Sequence, residues 1–210
     1  MSGLAKLRFR IAAWCNDDTI LGRNALSTDV LTQELAGKRI AIVGNARALA
    51  HSDQGAQIDG CDLVIRINRA PMPSDKSHGK RTDWLALATS LAQTQFECLE
   101  AKRLIWMSHK RKRLKHWMAN TSGFALFAPS LYHDLKSRLG AQPTTGAMLI
   151  DFAVRSNAAE IHLFGFDFFS SLSLSGKRDA QNVPHDFTSE SAFVHALIKS
   201  DPRITLHPME

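Results

Sequence analysis

The chain has 210 residues and a formal net charge of +6, from 26 Lys and Arg against 20 Asp and Glu. With 44% hydrophobic and 22% charged residues it has a globular composition, and it is long enough to bury a core without disulfides or metals. No apolar run approaches the roughly 18 residues that predict a membrane span. The run Ile11–Cys15 is too short for a secretory signal, so we expect neither feature.

The positive charge is concentrated in one part of the chain. Between residues 101 and 133 there is no acid, and the bases there are Lys102, Arg103, Lys110, Arg111, Lys112, Arg113 and Lys115. Without these seven, the chain would have 19 bases against 20 acids. Such a segment is typical of a solvated helix face or of a surface that attracts an anionic partner.

The three cysteines predict no cross-links. Cys15, Cys61 and Cys98 are odd in number and widely spaced, which fits neither a disulfide framework nor a metal site. We therefore expect reduced thiols in a cytoplasmic protein and no bound metal.

Apolar and polar patterning predicts an α/β fold. Residues 1–37 are predicted to form a partly helical N-terminal arm, and residues 38–210 a single domain. Short apolar runs bounded by turn signals predict strands at 40–43, 62–68, 83–88, 104–107, 124–127, 161–166 and 204–206. Helices are predicted at 46–56 and 144–156. Strands that alternate with helices and read as continuous apolar runs indicate a mainly parallel sheet with helices on both faces.

In such sheets ligands bind beyond the carboxyl ends of the strands, so the residues that follow each strand matter most. Gly44 and Asn45 follow the first strand, where a glycine lets a ligand approach the backbone or simply forms a turn. Asn68 ends the second strand and suits either the edge of a base or ribose or an Asx turn. A nicotinamide dinucleotide is disfavoured, because the glycines of its fingerprint are missing.

Two further segments have residues suited to a reaction. Thr144, Thr145 and Gly146 open the second predicted helix, where hydroxyls either cap the helix or hold a phosphate or carboxylate. His185 follows a polar segment, and imidazole is suited to proton transfer near neutral pH. Glu190, five residues later, could orient it, although the same stretch also fits a helix start with capping residues.

Taken together, these segments resemble the sialyltransferases of glycosyltransferase family 29. Gly44-Asn45, 55–59 (GAQID), 62–71 (DLVIRINRAP) and 79–82 (GKRT) resemble the large sialylmotif of that family. Residues 143–166 are similar to the small sialylmotif, and His185 with Glu190 to the very short His-x-x-x-x-Glu motif. The resemblance covers about residues 38–190.

The resemblance implies a Rossmann-like variant of the GT-A fold and metal-independent, inverting transfer of sialic acid from CMP-sialic acid to a glycan hydroxyl. Asn45 and Asn68, with Gly44, would hold the CMP moiety. Thr144, Thr145 and Gly146 would contact the nucleotide or the sugar carboxylate. His185 would be the general base, and Glu190 would support its loop. No cofactor other than the donor substrate is implied.

Several departures from the family pattern bear on function. Ala46 stands where the family usually has Ser, and no second His lies between Gly165 and His185. Ile40 and about Ser156 stand where animal members have the two cysteines of a disulfide. Together these changes suggest a compact bacterial-type member that uses CMP-sialic acid or the chemically similar CMP-Kdo. They also keep open a catalytically impaired relative that binds nucleotide as an accessory protein.

The basic segment is expected to contact the acceptor substrate or the membrane that carries it. We expect Lys110–Lys115 to attract an anionic membrane surface or a phosphorylated glycolipid acceptor, on the inner face of the membrane. Nucleic acid is not expected as a partner, because the segment has no recognised binding motif.

Overall fold

The computed structural model describes residues 3–167 and 186–209. Within these ranges seven strands form one sheet in which every neighbouring pair is parallel. The strands are β1 (Arg39–Val43), β2 (Leu63–Ile67), β3 (Trp84–Leu87), β4 (Arg103–Trp106), β5 (Phe124–Leu126), β6 (Glu160–Phe164) and β7 (Ile204–Leu206). Their order is β5-β4-β3-β2-β1-β6-β7. The predicted α/β class with a parallel sheet is confirmed.

Helices connect the strands and precede the first of them. They are α1 (Gly3–Cys15), α2 (Asp18–Leu21), α3 (Thr28–Leu35), α4 (Gly55–Asp59), α5 (Asp75–His78), α6 (Gln93–Glu97), α7 (His116–Ala119), α8 (Pro129–Leu139), α9 (Thr145–Val154) and α10 (Phe187–Ser200). Two 3-10 turns cover Arg47–His51 and Arg111–Arg113. None of the helices in the described ranges has the length and apolarity needed to cross a bilayer.

One predicted helix is shorter than expected. Residues 46–56 form the 3-10 turn Arg47–His51 rather than a continuous α-helix. The backbone N–H and the hydroxyl of Ser52 both donate to the carbonyl of Leu49, at 3.1 and 2.8 Å. Ser52 thus closes the turn, because a short polar side chain competes with the helical hydrogen-bond ladder.

The sheet is buried on both faces. Along β1, Ile40 and Ile42 pack into the main core with α9, while Ala41 and Val43 face a smaller cluster with Leu49 on the other side. All four side chains are at most 2% exposed. Burial on both faces explains why the central strands read as continuous apolar runs rather than as alternating ones.

The N-terminal residues contribute to both faces. Leu31 and Leu35 of α3 belong to the main core, and Phe9 of α1 belongs to a second cluster against β3, β4 and β5. The ring of Phe9 meets His116 edge-on, with centroids 5.1 Å apart. The domain boundary at residue 37 stays a prediction.

The basic segment is not uniform. Lys102 pairs with Asp83 at 3.5 Å and Arg103 with Glu34 at 2.6 Å. Arg111 is only 2% exposed, and its guanidinium contacts both carboxylate oxygens of Asp18, at 2.8 and 2.7 Å. It also donates to the carbonyls of Ser108 and Phe127. Arg111 is therefore structural, so the expectation of a surface formed by the whole of Lys110–Lys115 is wrong at this residue.

We expect Arg111→Ala to lower the free energy of unfolding by about 2 kcal/mol. The change leaves a carboxylate and two carbonyls without their donor, and the loss stays below that of a fully buried pair because Asp18 is partly exposed. Urea unfolding measures it. The neighbouring Lys112→Ala, at an exposed position, is the control and should change stability by less than about 0.5 kcal/mol. Equal effects of the two variants would contradict the structural role of Arg111.

Candidate functional site

The sheet order places a crevice at the carboxyl ends of β1 and β6. Strands β2 to β5 follow one another on one side of β1, and β6 then pairs with the other side of β1. Neighbouring strands whose connections leave in opposite directions open a crevice at their carboxyl ends, the usual ligand site of open α/β sheets. Gly44 follows β1 here, and Gly165 follows β6.

Gly44 is required by the packing of these two strand ends. Its N–H donates to the carbonyl of Phe164 at 2.7 Å, and a Cβ at this position would collide with the carbonyl oxygen of Gly165. Gly165 has φ +68°, a conformation that favours glycine. The glycine after β1 thus permits a close approach of two backbones.

We expect Gly44→Ala to lower the free energy of unfolding by about 2 kcal/mol, because the obstructing atoms belong to backbone that cannot rotate away. Chemical denaturation measures the loss. Gly3→Ala, where an added Cβ meets nothing within 4 Å, is the matched control and should show no loss. A stable Gly44→Ala variant would show that the two strand ends separate easily.

Asn45 and Asn68 tie three neighbouring strand ends together. The amide Nδ2 of Asn45 donates to the carbonyl of Ile67, the last residue of β2, at 3.3 Å. Asn68 adopts φ +54°, which Asn tolerates better than most residues, and its Oδ1 accepts from the N–H of Ala88 at 3.0 Å. Both side chains are half-buried and each uses one end of its amide in these contacts. The other end of each amide is a candidate contact for a ligand.

The N-terminus of α9 lies at the same edge of the sheet. The Oγ1 of Thr144 caps the helix by accepting from the N–H of Ala147 at 3.1 Å. Thr145 and Gly146 are buried in the first turn, where N–H groups have no acceptor within the helix. The predicted capping role of Thr144 is confirmed, and the amides of Thr145 and Gly146 are the donors that the cap does not use.

Phe166 joins β1, β6 and α9. A Cβ on Gly146 would lie 2.8 Å from Cε1 of Phe166, and one on Gly44 would lie 3.3 Å from its Cδ2. The ring therefore packs between two glycines of the candidate site. Sequence analysis missed this role, because Gly44 and Gly146 are far from Phe166 in the chain and only the fold brings them together.

Glu190 binds the N-terminus of α9 from the first turn of α10. Its Oε1 accepts from the N–H of Thr144 at 2.6 Å and its Oε2 from the Thr144 hydroxyl at 2.8 Å. The side chain is 5% exposed, and burial raises the pKa of its carboxyl to about 7 despite these two hydrogen bonds. Glu190 therefore holds two predicted site segments together and titrates near neutral pH.

His185 lies outside the described residues. The next residue, Asp186, caps α10 and accepts hydrogen bonds from the N–H groups of Thr188 and Ser189, both at 3.0 Å. These bonds hold the pKa of the Asp186 carboxyl below its usual range. The stretch after His185 is thus a helix start, as one of the two interpretations of its sequence predicted, but Asp186 caps it rather than the expected Thr188 or Ser189.

Thr89 is a further candidate that the motifs did not single out. It follows β3 next to Ala88, the residue that Asn68 binds. Its Oγ1 is buried and makes no hydrogen bond with the part of the chain that the structure describes. A buried hydroxyl without a partner is costly, so this atom is suited to a ligand or an ordered water. Across residues 3–167 and 186–209, no group of three or more His, Cys, Asp or Glu could hold a metal.

Comparison with known proteins identifies related sequences. Residues 23–110 match the family model for glycosyltransferase family 29 (sialyltransferase). The mouse type 2 lactosamine alpha-2,3-sialyltransferase is 25% identical over 80% of this chain, and its rat counterpart is 23% identical over the same share. The matches span 65% and 64% of the lengths of these two relatives, which is less than two thirds.

Solved structures share the fold. A mammalian sialyltransferase superimposes with a TM-score of 0.68 at 19% identity, over 100% of this chain and 87% of the other. The sialyltransferase CstII from Campylobacter jejuni superimposes with a TM-score of 0.56 at 16% identity, over 83% of this chain and 80% of the other. These similarities confirm the predicted Rossmann-like, GT-A-like architecture.

Proposed function

We propose that this chain, which is similar to the sialyltransferases of glycosyltransferase family 29, belongs to that family and transfers sialic acid from CMP-sialic acid to a glycan hydroxyl. One observation carries the proposal. Asn45 follows Gly44 and is bonded to the end of β2 beside Asn68, and the ring of Phe166 lies against both Gly44 and Gly146. Thr144, two residues before Gly146, is bonded to Glu190. Every predicted site residue that the structure describes thus lies at one edge of the sheet.

CMP is the proposed leaving nucleotide. Half-buried amides at Asn45 and Asn68 can read the donor and acceptor groups of a base or ribose. The first-turn amides of α9 and the positive end of its dipole favour the phosphate or the sugar carboxylate. Structures of CstII with CMP support the same class of ligand.

His185 is proposed as the general base. It would take the proton of the acceptor hydroxyl while that oxygen forms a bond to the anomeric carbon. The bond from this carbon to the CMP phosphate oxygen breaks on the opposite face, so the configuration inverts and CMP leaves with the electron pair. Positioning and electrostatic stabilisation are the main sources of rate in such a step, and we propose that it needs no metal.

Glu190 is proposed as a positioning residue. Its two hydrogen bonds to Thr144 fix the start of α10 against the N-terminus of α9. This arrangement joins the helix that follows His185 to the proposed donor site. Burial of the carboxyl favours its protonated form, which limits repulsion of a donor phosphate at the same helix end.

The acceptor is proposed to be a glycan or glycolipid. A mammalian sialyltransferase of the same fold is solved in complex with Gal-beta-1-3GalNAc-ortho-nitrophenol, which supports a sugar acceptor without specifying it for this chain. A bacterial source, a cytoplasmic location and the use of CMP-Kdo as donor stay predictions.

A second candidate function is nucleotide binding without transfer. Ala46 supports it, because this residue is 5% exposed beside the strand ends of β1 and β6 and has a methyl group where the family usually has a hydroxyl. Its N–H donates to the carbonyl of Gly165 at 3.2 Å, so the backbone here is already fixed. A protein of this kind would bind CMP and release none from any CMP-sugar.

Calorimetric titration with CMP, CMP-sialic acid and CMP-Kdo tests the proposal. We expect CMP and one of the two CMP-sugars to bind and to raise the melting temperature, because a ligand that binds only the folded state stabilises it. Release of CMP in the presence of an acceptor distinguishes the transferase from the nucleotide-binding protein. Absence of binding at millimolar ligand would contradict both.

A further inference from the structure

Helix α1 has an apolar stripe that faces solvent. The large hydrophobic residues Leu4, Leu7, Ile11 and Trp14 are 78%, 53%, 57% and 77% exposed. Their spacing of three, four and three residues places them within an arc of about 80° on one side of the helix. Isolated exposed hydrophobics are ordinary, but a continuous stripe of four marks an interaction surface.

The opposite side of α1 is fixed to the protein. Phe9, Ala12 and Ala13 are 9%, 2% and 5% exposed and belong to the cluster against β3, β4 and β5. The helix is therefore docked by one face, and the stripe points away from that face. Packing of α1 against the core of the protein therefore does not explain why the stripe is apolar.

Positive charge surrounds the stripe. Helix α1 contains Lys6, Arg8 and Arg10 and no acidic residue, and all three bases are exposed. At helical spacing, Arg8 flanks the stripe on one side and Arg10 on the other. A docked helix with an outward apolar stripe between bases has the pattern of an interfacial membrane helix.

The basic segment adjoins the same surface. The Nζ of Lys112 lies 5.9 Å from the centre of the Trp14 ring. Lys112 and Arg113 are exposed, and neither forms an ion pair with a carboxylate in residues 3–167 or 186–209. They therefore add uncompensated charge next to the tip of the stripe, unlike the buried Arg111.

The stripe ends beside the edge of the sheet that holds the candidate site. Trp14, Asn16, His109, Lys110 and Lys112 line one cleft of about 280 Å³. His109 follows the carboxyl end of β4 and stacks on Tyr132, with ring centroids 4.5 Å apart. The Trp14 end of the stripe thus lies near the edge of the sheet formed by the carboxyl ends of the strands.

We propose that the outward stripe of α1, with the bases that surround it, is a docking surface for an anionic lipid bilayer. Leu4, Leu7, Ile11 and Trp14 would enter the headgroup boundary while the bases contact lipid phosphates. Charge selects this partner, since α1 has three bases and no acid and a second copy would bring like charges together. Four side chains are also fewer than the roughly 20–30 residues per side of a stable protein interface.

Vesicle sedimentation with the full chain tests the proposal without donor or acceptor, so its outcome is independent of the proposed transferase activity. We expect binding to vesicles of phosphatidylcholine with phosphatidylglycerol and much weaker binding to phosphatidylcholine alone. The double variant Leu7→Gln, Ile11→Gln, which keeps the net charge, should bind more than about tenfold more weakly. Unchanged circular dichroism and melting temperature would show that it folds.

Matched variants separate charge from apolar contact. Lys112→Ala should weaken vesicle binding about fivefold, as expected for one base at an anionic surface. Lys199→Ala removes one exposed base on α10, which packs against the other face of the sheet, and should leave binding unchanged. Trp14 emission should shift to shorter wavelength on vesicles, and Trp14→Phe should remove most of the shift, because Trp84 and Trp106 are buried and Trp117 is partly buried against the cluster that contains Phe9.

Three results would overturn the proposal. The first is equal binding of the wild type and the double glutamine variant to anionic vesicles. The second is wild-type binding that does not depend on the anionic lipid, or no binding at all. The third is a dimer in light scattering that the double variant dissociates, which would assign the stripe to a second copy of the chain.

Discussion

Replacing His185 with alanine is expected to lower kcat for sugar transfer by about 10²–10⁴-fold and to leave the affinity for CMP unchanged. A general base acts on the acceptor hydroxyl in the transition state and does not contact the leaving nucleotide. Its loss therefore reduces the rate of the chemical step without weakening donor binding. Initial rates of CMP release and calorimetric titration with CMP measure the two quantities separately.

A second histidine provides the control for this variant. His195 is an exposed residue of α10 whose Nδ1 lies 2.8 Å from the carbonyl of Ser191, one turn earlier. His195→Ala should leave both kcat and CMP affinity unchanged. Turnover retained by His185→Ala would remove this residue from the role of base. Loss of CMP affinity together with kcat would instead indicate that His185 contacts the donor.

The second large effect concerns Glu190 and pH. Its pKa is raised from 4.5 to about 7 in the folded protein, so folding favours the protonated carboxyl. The stabilisation from this group is fully present below pH 4.5 and is lost as the pH rises through about 7. The shift corresponds to about 3 kcal/mol of unfolding free energy between these limits.

The comparison with Glu190→Gln isolates this contribution. Glutamine can accept from the N–H of Thr144 and donate to its hydroxyl, but it does not ionise. The stability of the variant relative to the wild type should therefore rise by about 3 kcal/mol from below pH 4.5 to above pH 7, as urea unfolding at several pH values would measure. A difference that does not vary with pH would contradict titration of Glu190 in this range.

His78 makes the paired comparison necessary. Burial and the neighbouring charge of Arg66 lower the pKa of His78 to about 4, so stability from this group is lost as the pH falls through the range from 6.5 to about 4. That effect opposes the effect of Glu190 in nearly the same pH range. Because both proteins contain His78, its contribution cancels in the difference between the wild type and Glu190→Gln.

Much of the fold could be predicted from the sequence. All seven predicted strands are present within two residues of their expected bounds, since short apolar runs buried on both faces are local signals. The start of α9 was also predicted, because a Thr before an apolar helix is a local capping signal. The helix expected at 46–56 was wrong, because Ser52 closes a 3-10 turn that apolar spacing does not reveal.

The sequence predicted which residues belong to the candidate site, but it did not predict the contacts between them. Gly44, Asn45 and Asn68 were identifiable because each follows a strand. Their hydrogen bonds hold neighbouring strand ends together, and that pairing depends on the order of strands in the sheet. The role of Phe166 between two glycines likewise depends on the approach of β1, β6 and α9.

By itself, the sequence determined the elements, the residues at their ends and the resemblance to the sialyltransferases, because these depend on patterns a few residues long and on motif order. Only the tertiary structure decided which charges and apolar groups are buried. It placed Arg111 in the interior with Asp18, turned the stripe of α1 toward solvent, and joined Thr144 to Glu190 across 46 residues of chain. Such outcomes depend on contacts between segments far apart in sequence. The residues next to a side chain in the sequence do not reveal whether that side chain is buried or exposed.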